Sequence, residues 1–154
     1  MKRYLPSTAG KFWLSYLLIL ALCAGWSAHA WASPTYWLDV MTISQHFPNR
    51  GFNQENPGIG IEADAGDWQF AVGTYRNSYY RTTNYATLGY LPVHVGGWSA
   101  GVVGGPASGY AFPVIGGFEL AYRSKHAWGV NVLAVPPVMK GAAVIGLQLV
   151  MHLP

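Results

Sequence analysis

Along residues 142–153 apolar positions alternate with small and polar ones. Ile145, Leu147, Leu149, Met151 and Leu153 share one face, and Val144, Gly146, Gln148, Val150 and His152 share the other. The same period of two runs through 126–135, where Trp128, Val130, Val132 and Ala134 oppose Gly129, Asn131 and Leu133. It recurs at 58–64, where Ile59, Ile61 and Ala63 oppose Gly60, Glu62 and Asp64. A period of two is the signature of a strand. Segments of this kind, separated by Gly, Pro, Asn and Asp, predict eight strands. They span about 36–47, 58–64, 68–78, 83–91, 94–103, 112–122, 126–135 and 142–153.

The connections alternate in length. Asp64-Ala65-Gly66-Asp67, Leu91-Pro92-Val93 and Arg123-Ser124-Lys125 are tight, whereas 48–57, 79–82, 104–111 and 136–141 are longer or irregular. Short turns at one end and longer loops at the other describe an all-β fold, an eight-stranded antiparallel up-and-down transmembrane β-barrel. Its short turns are expected on the periplasmic side of an outer membrane. The wholly apolar face suits lipid, and the mixed face suits a narrow lumen. The competing architecture is a soluble eight-stranded barrel with its apolar face inward. Composition favours the membrane: the chain of 154 residues is 51% hydrophobic, 15% aromatic and 10% charged, against about 25% charged in typical soluble domains.

The N-terminus reads as an export signal preceding the barrel. Lys2, Arg3 and Lys11 precede an apolar stretch over about 12–24, and Ala28-His29-Ala30 and Ala30-Trp31-Ala32 offer small-x-small cleavage sites. The expected division is a signal peptide over 1–32 and the barrel over 33–154. A membrane anchor and, through Cys23, a lipoprotein are the alternatives weighed. Without 1–32 the chain keeps six Lys and Arg against six Asp and Glu, so the formal charge of +3 falls to zero. The basic balance therefore belongs to the signal, which argues against nucleic acid as a partner. Cys23 is the chain's single cysteine, so the barrel region carries no thiol.

Threading the strands places His46 at the outer end of the first and Ser78 at the outer end of the third. One strand lies between them, which puts their backbones roughly 10 Å apart. His94, His126 and His152 fall at the opposite end. A histidine beside a serine can form an activated nucleophile when a third group orients the imidazole, and Asn77 is the nearest candidate. The bland alternative is solvated rim chemistry.

The stretches "ISQHF…ENPGIGIE", "FAVGTYRNSYYRTTNYATLGY" and, more loosely, "FPVIGGFELAYRSKHAWGVNVLAVPP" cover most of residues 43–137. They resemble the lipid A palmitoyltransferase (PagP) family, small outer-membrane barrels that move an acyl chain from a phospholipid to lipid A. The resemblance implies a monomeric barrel without cofactor or metal, whose partners are a phospholipid acyl donor and lipid A. It implies catalytic roles for His46 and for Asn77 and Ser78, which stand where the family has an Asp-Ser pair. Gly89 falls where the family has the glycine that floors its acyl-chain pocket. Two departures stand out: Asn77 replaces a carboxylate, and no amphipathic helix separates the signal from the first strand.

Independently of the resemblance, an acyl chain needs a narrow apolar slot. Gly58, Gly60, Gly73, Gly89, Gly101, Gly116, Gly129 and Gly146 are spread over the strands and would provide room, or would relieve curvature. Pro113 and Pro136-Pro137 cannot donate to a ladder, so they would weaken pairing of the sixth and seventh strands and open a lateral gate, or simply end those strands. Arg76 and Arg81 at the rim suit lipid phosphates. His46 with Glu55 or Asp64 lacks metal-ligand spacing. Two other functions compete with acyl transfer: a non-catalytic barrel that binds lipid or a surface partner, and a soluble periplasmic lipid-binding barrel.

Overall fold

The computed structural model describes residues 33–137 and 142–154, with Met41 placed by its backbone alone. The expected signal peptide, 1–32, lies outside the described residues, as does 138–141. The barrel unit runs from Ser33 to Pro154. Its eight strands are β1 (Thr35–Phe47), β2 (Gly58–Ala65), β3 (Trp68–Arg76), β4 (Thr82–Val95), β5 (Trp98–Pro106), β6 (Val114–Arg123), β7 (Trp128–Val135) and β8 (Ala143–Leu153). Each is antiparallel to its chain neighbours, and β1 pairs with β8 to close the barrel. Closure gives every strand a partner on both sides.

Short connections gather at one end and long ones at the other, as the turn spacing predicts. At the turn end, Gly66-Asp67 joins β2 to β3 and Gly96-Gly97 joins β4 to β5. Gly66 and Gly96 both adopt a φ of 62°, which a side chain disfavours and a two-residue hairpin demands. Both chain ends of the barrel unit lie here. At the loop end are residues 48–57, 77–81 and 107–113, together with Pro136, Pro137 and Ala142.

Several boundaries differ from expectation. The predicted turn at Leu91-Pro92-Val93 is a bulge: Tyr90 faces Val102 and Val93 faces Ala100, so β4 carries one extra residue. Proline is tolerated at a bulge because its missing N–H leaves no ladder bond unmade. β4 therefore continues to Val95, and β5 begins at Trp98. β6 begins at Val114. β3 stops at Arg76, which places Asn77 and Ser78 in the loop instead of the strand.

The two faces separate cleanly. Ile59, Ile61, Phe70, Val72, Leu88, Val102, Phe118, Leu120, Leu149 and Met151 are exposed on the outer surface. Near the turn end Trp68, Tyr90, Trp98, Tyr122 and Trp128 form an outer row. The ring centroids of Trp68 and Tyr90 lie 4.9 Å apart, and those of Trp98 and Tyr122 lie 4.8 Å apart.

The lumen is polar and filled. Arg123 stands at its centre near the turn end, donating to Glu62, to Asp64 at 2.9 Å and to Asn131 at 2.7 Å. Its guanidinium also lies 5.0 Å from the Trp37 ring. Asn131 donates to the second Glu62 oxygen at 2.7 Å, and Gln69 donates to Glu119 at 2.9 Å. The Tyr85 hydroxyl donates to Asp39 at 3.1 Å. Buried polar groups are tolerated when they satisfy one another, and these bonds cross the barrel from strand to strand. In a soluble ligand-carrying barrel the polarity of the two faces would be reversed.

Candidate functional site

The sequence-predicted residues His46, Asn77 and Ser78 all lie at the loop end, and the long β1–β2 loop links His46 to Ser78 through Phe52 and Asn53. His46 lies near the end of β1 with its neighbours facing outward, so alternation turns its ring into the barrel mouth. Only 3% of it is exposed, and its Nδ1 has no hydrogen-bond partner. Phe52 folds back over it, with ring centroids 4.7 Å apart. The next residue, Asn53, donates its backbone N–H to the Ser78 carbonyl at 2.9 Å. One loop thus packs against the histidine and fastens itself to the serine.

The same loop closes the gap between the strands. β1 pairs with β2 only from Thr35 to Asp39. Beyond that, Ser44 N–H bonds to the Gln54 carbonyl and Asn56 N–H to the Thr42 carbonyl. Asn56 is buried, accepts from Ser44 Oγ at 2.5 Å and donates to the Arg76 carbonyl at 2.8 Å.

Around Ser78 the mouth is phenolic. Tyr75 and Tyr110 share a hydrogen bond of 2.8 Å between their hydroxyls. Tyr110 also faces the Ser78 side chain, and burial pushes its phenol above the ordinary value, so it stays protonated. Tyr79 packs edge-on against both Phe52 and Tyr110, at 5.7 and 6.0 Å. A continuous aromatic path therefore leads from His46 through Phe52 and Tyr79 to Tyr110. Sequence reasoning missed Phe52 and Tyr110. Inward parity of Tyr75 with Gly73 could have flagged the phenols, but nothing local marks Phe52 as the residue that covers His46.

Asn77 is fully buried, and its carboxamide is engaged within the loop. Its Oδ1 accepts from the N–H groups of Tyr79 at 2.8 Å and Arg81 at 3.0 Å, as in an Asx turn. Its Nδ2 donates to Thr83 Oγ1 at 3.0 Å and to the Gly109 carbonyl at 3.2 Å. The Thr83 hydroxyl is itself donated to the Ser108 carbonyl at 2.8 Å, so it can only accept from Asn77. A carboxylate here would face two acceptors. An asparagine and not an aspartate at position 77 therefore has a structural reason, and Asn77 spends its hydrogen bonds on the loop and not on His46.

The other expected residues are spread along the barrel. Arg76 and Arg81 are exposed at the loop end, and the Arg76 guanidinium lies 5.5 Å from the Tyr80 ring. Gly89 is buried in the wall deeper toward the turn end. A Cβ there would sit 2.9 Å from Leu91 Cδ1 and 3.2 Å from Gln69 Oε1. At Gly60 an added Cβ would meet the Tyr85 hydroxyl at 2.5 Å, and at Gly73 it would meet the Tyr85 ring at 2.8 Å. These two glycines make room for Tyr85, which occupies that stretch of lumen.

Toward the loop end two intervals lack strand pairing among the described residues. β6 pairs with β7 only from Phe118 to Arg123, while Val114–Gly117 pair with β5 alone among the described residues. Pro113 and Pro136-Pro137 flank that interval. Between β4 and β5, pairing lapses from the Tyr85–Ala107 bridge to the Leu88–Gly104 pair. An open cleft of about 420 Å³ lies there beside Pro106 and Pro113. Among the described residues no group of three His, Cys, Asp or Glu side chains could hold a metal ion. No family model matches the chain, and no curated protein matches it either.

Proposed function

We propose that the barrel spans the outer membrane after export through a cleaved signal peptide, and that its loop end transfers an acyl chain from a phospholipid to lipid A. The membrane assignment rests on the apolar outer face around a hydrogen-bonded polar lumen, with an aromatic row near one rim where bilayer interfaces favour such rings. A soluble lipid carrier would need the opposite arrangement.

The observation that carries the activity is His46, buried at the mouth with an unpartnered ring nitrogen, on the same rim as Ser78. His46 would take the proton from the attacking hydroxyl, and Ser78 with Tyr110 would supply hydroxyl groups to the developing oxyanion. Arg76 and Arg81 would hold phosphate groups at the rim. The interval between β6 and β7 that is unpaired among the described residues would be the route by which a lipid chain enters sideways.

The test is mass spectrometry of lipid A from cells with and without the gene. A new acyl-sized mass that disappears in His46→Ala and Ser78→Ala, with both variants folded and membrane-bound, is the expected result. An unchanged lipid A profile refutes it. A second reading, a non-catalytic barrel that binds lipid or a surface partner, is favoured by the engagement of Asn77 within its loop and by Tyr85 filling the lumen over Gly60 and Gly73.

A further inference from the structure

We infer that Asp67, His94 and Ser99 form a second catalytic site, at the turn end, that hydrolyses short uncharged carboxylic esters. Neither the site nor the chemistry depends on the loop-end reading. The three residues come from the β2–β3 turn, the last residues of β4 and the start of β5. The bulge at Leu91-Pro92 lets β4 run past its expected turn, and His94 pairs directly with Ser99 across the hairpin. The Asp67 carbonyl accepts the Leu91 N–H at 2.7 Å, which ties the neighbouring turn to this hairpin.

The hydrogen bonds link carboxylate, imidazole and hydroxyl in one chain, with the two ring nitrogens exchanged relative to the serine-protease triad. His94 Nε2 lies 2.8 Å from Asp67 Oδ1, and His94 Nδ1 lies 3.0 Å from Ser99 Oγ. An ionised carboxylate only accepts, so the neutral imidazole carries its proton on Nε2. Nδ1 is then the acceptor, and the Ser99 hydroxyl donates to it. A serine whose proton already points at an imidazole nitrogen, with a carboxylate fixing the tautomer, is the arrangement of nucleophilic acyl transfer.

A cavity of about 300 Å³ adjoins the group, with Trp37, Trp68, Leu91, Ala121 and Arg123 among its walls. Its volume is at the small end of ligand sites. The Arg123 charge is taken up by Glu62 and Asp64. With Asp64 and Asp67 also on the wall, the site offers nothing to an anion. A short, uncharged acyl group is what fits.

The chemistry balances with water alone. Ser99 Oγ forms a bond to the ester carbonyl carbon as its proton passes to His94 Nδ1. The Asp67 carboxylate stabilises the resulting imidazolium. The carbon–oxygen bond to the alcohol breaks, and that oxygen takes the proton from Nδ1. Water then adds to the acyl-serine, giving a proton to Nδ1 that returns to Ser99 Oγ as the acid leaves. Ser99 and His94 are the catalytic residues, and Asp67 is a positioning residue.

The experiment uses the whole barrel folded in detergent, with p-nitrophenyl acetate as substrate and a fluorophosphonate as covalent probe. The adduct is located by peptide mass spectrometry. The expected result is an adduct on Ser99, with hydrolysis lost in Ser99→Ala. Labelling rate and hydrolysis should both fall by about 10²–10⁴ in His94→Ala and Asp67→Asn. Folding of each variant is read from its heat-modifiable gel mobility. His94 and Asp67 are 46% and 44% exposed, so a merely structural role would leave the labelling rate of a folded variant unmoved. No adduct on Ser99, or labelling as fast in folded His94→Ala as in the original protein, overturns the inference. The Ser99 adduct and the lipid A mass are separate readouts on the same unmodified protein, so this inference and the loop-end reading can each fail alone.

Discussion

Arg123→Met removes the cation around which the lumenal network is organised. Glu62, 1% exposed, would keep only Asn131 as a partner, and Asp64 would lose its bond from Nε. Removing one partner of a buried ion pair costs about 3–5 kcal/mol, because the surviving charge stays buried without compensation. The Asp64 side chain is 26% exposed and can turn to water, whereas that of Glu62, at 2%, cannot. The cost therefore falls mainly on Glu62, and about 3 kcal/mol is the expected loss. With urea dependences of about 1–3 kcal/mol per molar for small proteins, the unfolding midpoint should drop by roughly 1–3 M. Urea titration of the barrel in lipid vesicles, read by tryptophan fluorescence, measures this. Trp37 beside Arg123 is a local reporter. Glu62→Gln combined with Arg123→Met removes the stranded charge and should be more stable than Arg123→Met alone. A single variant with the original midpoint, or a double variant weaker than the single, would refute the claim that a charge-paired lumen holds the barrel together.

Gly60→Ala should push the Tyr85 hydroxyl off Asp39, since the new methyl would lie 2.5 Å from the one and 2.9 Å from the other. A loss of about 1–3 kcal/mol is expected from overpacking in the same titration. Asn77→Asp should keep the two turn bonds to Oδ1 but set a carboxylate against the Gly109 carbonyl and the Thr83 oxygen. Faster proteolysis of the 77–81 and 107–113 loops is the readout, with an intact barrel. Gly89→Met should shorten any acyl chain transferred. Excluding two or three methylenes at about 0.8 kcal/mol each changes selectivity by tenfold or more. An unchanged product mass with a less heat-resistant barrel would leave Gly89 a packing position against Leu91 and Gln69.

The barrel was legible because its signal is repeated. Eight short alternating segments and the contrast between tight and long connections specify the strand number, and closure follows from it. The tight turn after β4 was misplaced because Pro92 is a strong local breaker, while the bulge that absorbs it depends on where β5 pairs. His46 and Ser78 could be put on one rim by threading alone. Their actual linkage runs through Phe52 and Asn53, and a loop folding back over a neighbouring strand leaves no periodic trace. The role of Asn77 was hidden for the same reason, since its partners Thr83 and Gly109 are set by loop–loop packing. The Asp67–His94–Ser99 group was invisible while His94 was read as lying beyond the hairpin turn instead of before it, at the end of β4.

Seven of the eight strand pairings are between chain neighbours and can form as hairpins. The eighth joins β1 to β8 along the ladder from Tyr36–Leu153 to Phe47–Ala143. Until it forms, both strands present open edges with apolar outer faces, the kind of surface that pairs with other chains. The entropy of closing so long a loop grows only slowly with its length, but pairings between distant residues slow folding. Assembly of this barrel is therefore expected to wait on one late event. During that wait β1 and β8 are the surfaces a chaperone would need to shield, and a short peptide copying β8 would be a direct competitor for the β1 edge.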